Sequence, residues 1–193
     1  VLIKNAQIVN EGKIITGDVL VEGDCIAEIS ESISAKSSDT KVIEADGLYL
    51  LPGMIDDQVH FREPGLTHKA EIETESKAAV AGGITSFIEM PNTVPQATTL
   101  PLLEEKFSRA AEVSWANYSF MFGGTNDNLE EILKVDENKV AGLKLFLGSS
   151  TGNMLVDDPK TLENIFSKTK LLISVHCEDE ETIKNNLAKY EAE

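Results

Sequence analysis

The sequence predicts an α/β protein: a small β-sheet module over residues 1–50, and over 51–193 the βα units of a parallel sheet. Two changes of rhythm carry that expectation. Up to about residue 50, apolar and polar residues alternate with a period of two between turn signals; from Met54 onward, short apolar runs alternate with segments of helical period. Composition permits such a fold, since 193 residues, 41% hydrophobic and 26% charged with 13 Gly and 6 Pro, suffice to bury a core and exclude a disordered or collagenous chain.

In the first module the strands are expected at 1–9, 18–21, 25–29 and 41–45, with turns at Asn10-Glu11-Gly12, Glu22-Gly23-Asp24 and Asp46-Gly47. The polar stretch 30–40 and Leu51-Pro52-Gly53 separate this module from the remainder of the chain. Strands are then expected at 54–61, 84–91, 116–123, 140–148 and 171–177, and helices at 68–82, 99–114, 126–135, 158–169 and 179–192. Five successive βα units imply a parallel sheet with helices on its faces. Their spacing suits a (β/α)8 TIM-like barrel, and a doubly wound sheet produces the same string. A barrel needs eight units, and the chain opens with Val1 and ends near its fifth helix. The expectation is therefore the N-terminal part of a longer protein.

Acidic residues outnumber basic ones 33 to 17, for a formal net charge of −16. With no Lys/Arg cluster, this argues against nucleic-acid and anionic-membrane partners. Cys25 and Cys177 lie far apart without CxxC spacing, so neither a disulfide framework nor a thiolate zinc knuckle is expected. No apolar run approaches the roughly 20 residues of a membrane helix, and the N-terminus lacks a signal-peptide layout. A soluble protein of the reducing cytoplasm is expected.

Three strands carry residues with chemistry to explain. In Met54-Ile55-Asp56-Asp57-Gln58-Val59-His60-Phe61-Arg62, a period of two puts Asp56, Gln58, His60 and Arg62 on one face and Ile55, Val59 and Phe61 on the other. Four polar side chains on one face call for a metal or an anionic substrate, against the plainer reading of a hydrogen-bonded histidine. In Gly142-Leu143-Lys144-Leu145-Phe146-Leu147, Lys144 and Phe146 oppose the three leucines. A lysine there must lose its charge, find a counter-charge, snorkel to the strand end, or react with CO₂ to become a carbamate that can bridge cations. His176 ends the fifth strand, so His60, Lys144 and His176 all fall toward C-terminal strand ends, where barrel enzymes place their sites. Imidazole and carboxylate are zinc-type ligands. Asn92, after the second strand, either caps the next segment or bonds a ligand; acids at 178–181 suit a helix start, and His68 carries no assigned chemistry.

Taken together, Pro52-Gly53-Met54-Ile55-Asp56, His60-Phe61-Arg62-Glu63-Pro64-Gly65, Ala81-Gly82-Gly83-Ile84-Thr85, Met90-Pro91-Asn92-Thr93, Gly142-Leu143-Lys144 and His176-Cys177-Glu178 resemble, in their order, the dihydroorotases of the amidohydrolase superfamily. The resemblance spans essentially the whole chain, and its Arg-Glu-Pro-Gly and Met-Pro-Asn-Thr motifs are the specific part. It implies a (β/α)8 barrel, here its first five units, flanked by a β-sandwich to which residues 1–50 contribute. It implies one or two Zn²⁺ ions held by His60, a carboxylated Lys144 and His176, with Arg62 and Asn92 binding the substrate carboxylate. The implied reaction is the reversible cyclisation of N-carbamoyl-L-aspartate to L-dihydroorotate in pyrimidine synthesis, with the general-base aspartate expected beyond residue 193. The chain departs from the family's Asp-x-His-x-His at Gln58, whose amide is a far weaker zinc ligand than imidazole. Asp56 and Gln58 are therefore assigned to the periphery of the metal site. Two other functions compete: a hydantoinase-like or allantoinase-like hydrolase, which Arg62 argues against, and a catalytically silent scaffold for a transcarbamoylase, which Gln58 favours. The partner expected is a small-molecule substrate, with homo-oligomer formation or transcarbamoylase association left open.

Overall fold

The protein is described by a computed structural model, over residues 1–148 and 152–191. The chain separates into two compact units, Val1–Gly53 and Met54–Glu193.

In the first unit, β1 (Leu2–Asn10), β2 (Lys13–Glu22) and β3 (Cys25–Ser30) form an antiparallel meander, and β4 (Val42–Glu44) and β5 (Tyr49–Leu50) pair parallel with β1. The β1–β2 hairpin closes on Glu11 and Gly12, both at positive φ, the backbone a two-residue hairpin turn requires. β2 starts earlier than the expected 18–21 because the hairpin ladder continues down to Asn10 and Lys13, although Ile14 and Ile15 stay exposed. The two-residue β5 carries too short a pattern to be expected from periodicity. Leu2, Ala6, Ile8, Val19 and Leu20 are buried.

Among them sits Asp18, 1% exposed. Its Oδ1 accepts the Asn5 N–H at 2.8 Å, its Oδ2 accepts the Ile33 N–H at 2.8 Å, and Lys4 Nζ lies 3.4 Å away. Asn5 has φ 58° and falls at the β1 irregularity between Ile3 and Ala6, so Asp18 satisfies a backbone donor that the ladder drops. Those backbone hydrogen bonds, from Ile33 first and then Asn5, hold its carboxyl below the ordinary 3.8. A depressed folded-state pKa stabilises the fold above the unfolded value and is lost as pH falls through the folded one. Urea unfolding of the intact protein should therefore show stability falling below about pH 4, and Asp18→Asn should lower stability at pH 7 while flattening that acid limb.

In the second unit, β6 (Met54–Val59), β7 (Ile84–Glu89), β8 (Asn117–Gly123), β9 (Gly142–Phe146) and β10 (Ile173–His176) form a parallel sheet in chain order. Between and after them run α1 (Ile72–Ala81), α2 (Leu100–Val113), α3 (Leu129–Ile132), α4 (Pro159–Lys168) and α5 (Glu180–Tyr190). Asp158 caps α4 by accepting the Thr161 N–H, with Pro159 at the first helical position, and Asp179 caps α5 by accepting the Thr182 N–H. The α1 expectation began too early, since 68–71 precede the helix and His68 lies in a turn. α3 is one turn instead of the expected 126–135. Asn128 accepts the Thr125 N–H and donates to the Thr98 and Gly123 carbonyls, which commits the approach to α3 to a loop. The expected fifth helix reached Ala192, which lies outside the described residues. Phe87, Phe120, Phe122 and Leu143 are at most 1% exposed at the centre of this unit's core, each contributing roughly 1.5–3 kcal/mol on burial.

Candidate active site at the C-terminal ends of the parallel strands

The first sheet strand departs from simple alternation. Asp56 pairs with Phe87 and Val59 with Glu89, three residues against two, so a bulge lies between them. The bulge inverts the facing of what precedes it. Asp56 lines a cavity with Val59, Phe61, Phe87 and α1 residues Ala78 and Ala79, on the helix side and not with His60 as expected. Ile55, expected on the packed face, is 69% exposed for the same reason. Gln58 is exposed, and its N–H donates to Asp56 Oδ1.

Past the bulge, Phe61 packs against Phe87 with ring centroids 4.6 Å apart, so His60 takes the opposite side. There its Nδ1 lies 2.9 Å from Asn92 Oδ1. An amide oxygen only accepts, so Nδ1 carries the proton and Nε2 keeps its lone pair. Asn92 does not cap a helix, since α2 begins at Leu100. Burial pushes the His60 imidazole below its ordinary 6.5; the positive charges of Arg62, Lys144 and Lys106 act in the same direction, and the Asn92 hydrogen bond opposes them. His60 is thus neutral near pH 7. Arg62 sits at φ 68°, a left-handed backbone that a non-glycine residue adopts at a cost.

Two loops hold this pair. The Met90 N–H donates to Val59 O, and the Val94 N–H donates to Pro64 O. Gly65 passes so close that a Cβ on it would lie 1.9 Å from Val94 O. Glu63 anchors the first loop from below, its Oε2 accepting the Ile72 N–H of α1 and its Oε1 the Arg109 Nε–H of α2 at 2.6 Å. Sequence reading assigned nothing to Glu63, because a glutamate in a loop carries no periodic signal.

Lys144 is 3% exposed, on the face of β9 opposite the buried Leu143 and Leu145, with Phe146 on its own side. Among the described residues its ammonium makes no hydrogen bond or ion pair, and burial lowers its pKa. His176, two register steps beyond Lys144's neighbour Ser174, is half-exposed, with its Nε2 2.9 Å from Glu178 Oε1. The register puts His60, Asn92, Lys144 and His176 at the same end of the sheet. Among the described residues a hydrogen bond joins His60 and Asn92, with Lys144 near enough for its charge to act on His60.

A metal would find part of a site here. A buried lysine without a counter-charge is the group that carbamylation relieves, and His60 Nε2 is a neutral donor with no hydrogen-bond partner among the described residues, so both fit. The His176 Nε2 is engaged by Glu178. Among the described residues no group of three His, Cys, Asp or Glu side chains is placed to hold an ion.

The model of dihydro-orotase-like proteins matches residues 47–193. The chain belongs to the dihydro-orotase-like family. It is 35% identical over 182 residues to a dihydroorotase of Methanosarcina acetivorans, covering 92% of this chain and 38% of that protein. It is 33% identical over 190 residues to an L-hydantoinase of Paenarthrobacter aurescens, covering 95% and 41%. Among solved structures, L-hydantoinase (dihydropyrimidinase) from Arthrobacter aurescens superposes with a TM-score of 0.86 at 31% identity, over 99% of this chain and 43% of that one. The chain thus spans about two fifths of the length of these relatives. The family is generally metal-dependent, and among the described residues no helix is long and apolar enough to cross a membrane.

Because Gly65 combines φ 82° with contact against Val94, Gly65→Ala should destabilise the intact protein by more than about 1 kcal/mol. Denaturant unfolding of the parent and variant measures the loss.

Proposed function

We propose that the intact protein is a dihydroorotase, closing N-carbamoyl-L-aspartate to L-dihydroorotate and reopening it. The observation that carries this is Arg62, held at a strained backbone beside the His60–Asn92 pair at the C-terminal end of the sheet. Its guanidinium suits the substrate carboxylate, and Asn92, whose Oδ1 is committed to His60, keeps its amide N–H groups for the same anion. The five parallel strands are, on this reading, the first five of a (β/α)8 barrel, with residues 51–193 its N-terminal portion. Residues 1–50 are one part of a β-sandwich.

His60, a carboxylated Lys144 and His176 would hold one or two zinc ions. Zinc, when bound, supplies a Lewis acid for the scissile ring amide and lowers the pKa of its water. The chain's own residues do the rest. Asn92 keeps His60 in the tautomer that offers Nε2, buried Lys144 is poised to take up CO₂ with release of a proton, and Arg62 with Asn92 orients the anion. Gln58, exposed and carrying only an amide, sets this chain apart from a complete pair of histidines and weakens one ion position. The scaffold reading rests on that residue alone. The likeness to L-hydantoinases favours a second reading, hydrolysis of a neutral cyclic amide, and substrate choice separates the two.

Arg62→Met should cost at least about tenfold in kcat/KM for dihydroorotate, since stranding a buried anion costs on the order of 2–5 kcal/mol. It should do much less to a hydantoin; equal losses would make Arg62 a structural residue and remove the preference for dihydroorotate. Protein equilibrated with ¹³C-labelled CO₂ should show a carbamate carbon that Lys144→Ala abolishes together with metal content. Bound metal beside an unmodified Lys144 amine would reject the carbamate.

A further inference from the structure

One buried charged pair in the second unit has no part in the chemistry above. Lys106 of α2 and Glu89 at the end of β7 have side chains 1% and 0% exposed, with Nζ 2.6 Å from Oε2. The contact is off the ideal hydrogen-bond direction, as is that from the Phe61 backbone N–H, which also faces the Glu89 carboxyl. Burial drives both toward neutrality, raising the pKa of Glu89 and lowering that of Lys106. Such a pair adds little to stability compared with apolar residues of the same size, because removing two charges from water offsets their attraction. Its directed bond goes elsewhere: Lys106 Nζ donates to Met90 O at 3.1 Å.

Met90 is where the second loop leaves the sheet. Its N–H is held by Val59 O, the residue before His60, and its carbonyl by Lys106. The peptide that sets the course of Pro91 and Asn92 is therefore fixed at both polar ends, and two residues on, Asn92 meets His60 at 2.9 Å. The Lys106 Nζ also lies over the Phe120 ring, 5.0 Å from its centroid, an attractive cation–π contact that adds to its confinement.

We propose that Lys106 and Glu89 are positioning residues: Glu89 confines the Lys106 ammonium, Lys106 fixes the Met90 carbonyl, and Asn92 is thereby held where it sets the His60 tautomer. This rests on the reading of His60 as a metal ligand. It also makes a claim that needs no metal, namely that the helix-side pair governs which His60 nitrogen carries the proton.

The test is the variant Glu89→Leu with Lys106→Met in the intact protein, which keeps the volume apolar and leaves no buried charge unpaired. Its thermal midpoint should fall only by the few degrees that leaving the Met90 carbonyl without its donor costs. In metal-free protein at neutral pH, the ¹⁵N shifts of His60 should move from a single Nδ1–H form to a mixture of tautomers. The zinc dissociation constant should rise about tenfold, as loss of an orienting partner does elsewhere. Adding Asn92→Ala should cause no further loss, because the pair acts through Asn92. An unchanged tautomer, or zinc effects that simply add to those of Asn92→Ala, would overturn the proposal and leave the pair as core packing. Should the doubly substituted protein unfold, Lys106→Gln, with an amide still able to reach Met90 O, should keep the parent's tautomer, and a mixture there would overturn it equally. His60→Ala with parental zinc affinity would instead refute the metal reading, and the tautomer measurement would still decide the positioning claim.

Discussion

The site depends on two loops being held against each other at the ends of neighbouring strands. Neither the 60–65 segment nor the 90–95 segment is regular structure, so their backbone groups need partners that no ladder supplies, some within each loop and some across to the other. The Met90 N–H to Val59 O and Val94 N–H to Pro64 O bonds are those that cross, and the absence of a side chain at Gly65 permits the approach. His60 and Asn92, 32 positions apart, meet because these bonds leave the loops little freedom relative to each other. Glu63 and Lys106 extend the constraint to α1 and α2, so helices on the outside of the sheet determine geometry at its end.

Much of this was legible in the residues. Alternation located β1, β7 and β9, and the helical stripe located α2 and α4, because each of these elements buries one face and exposes or opposes another. Lys144 stood out as a lysine among leucines, and the structure finds it buried, with no counter-charge among the described residues. What stayed hidden has identifiable causes. A bulge in β6 inverts side-chain facing, and no residue there announces it, since Asp56, Asp57 and Gln58 are all compatible with either side. The role of Glu63 depends on Ile72 and Arg109, which are remote in sequence. Lys106 could have been noticed: it shares the spacing of Leu103 and Ala110, the buried stripe of α2, where a lysine needs a partner. Glu89, ending an apolar strand, was that partner.

The electrostatics of the sheet's end arise from this arrangement. The chain as a whole is strongly acidic, yet Arg62, Lys144 and Lys106 all act on His60 as positive charges, and Glu89, a fully buried acid close by, is committed to Lys106. Burial first, with this positive charge added to it, keeps the His60 imidazole neutral. A carboxylated Lys144 would reverse one of those charges and supply the carboxylate that a dication requires. On the proposed function, positive charge for an anion and a lysine able to turn negative are different demands on one small region, and Arg62 and Lys144 meet them from different elements. The leucines of β9 pack toward the helices while Lys144 looks the other way, and Arg62 is set apart from it on a loop whose left-handed turn no strand could provide.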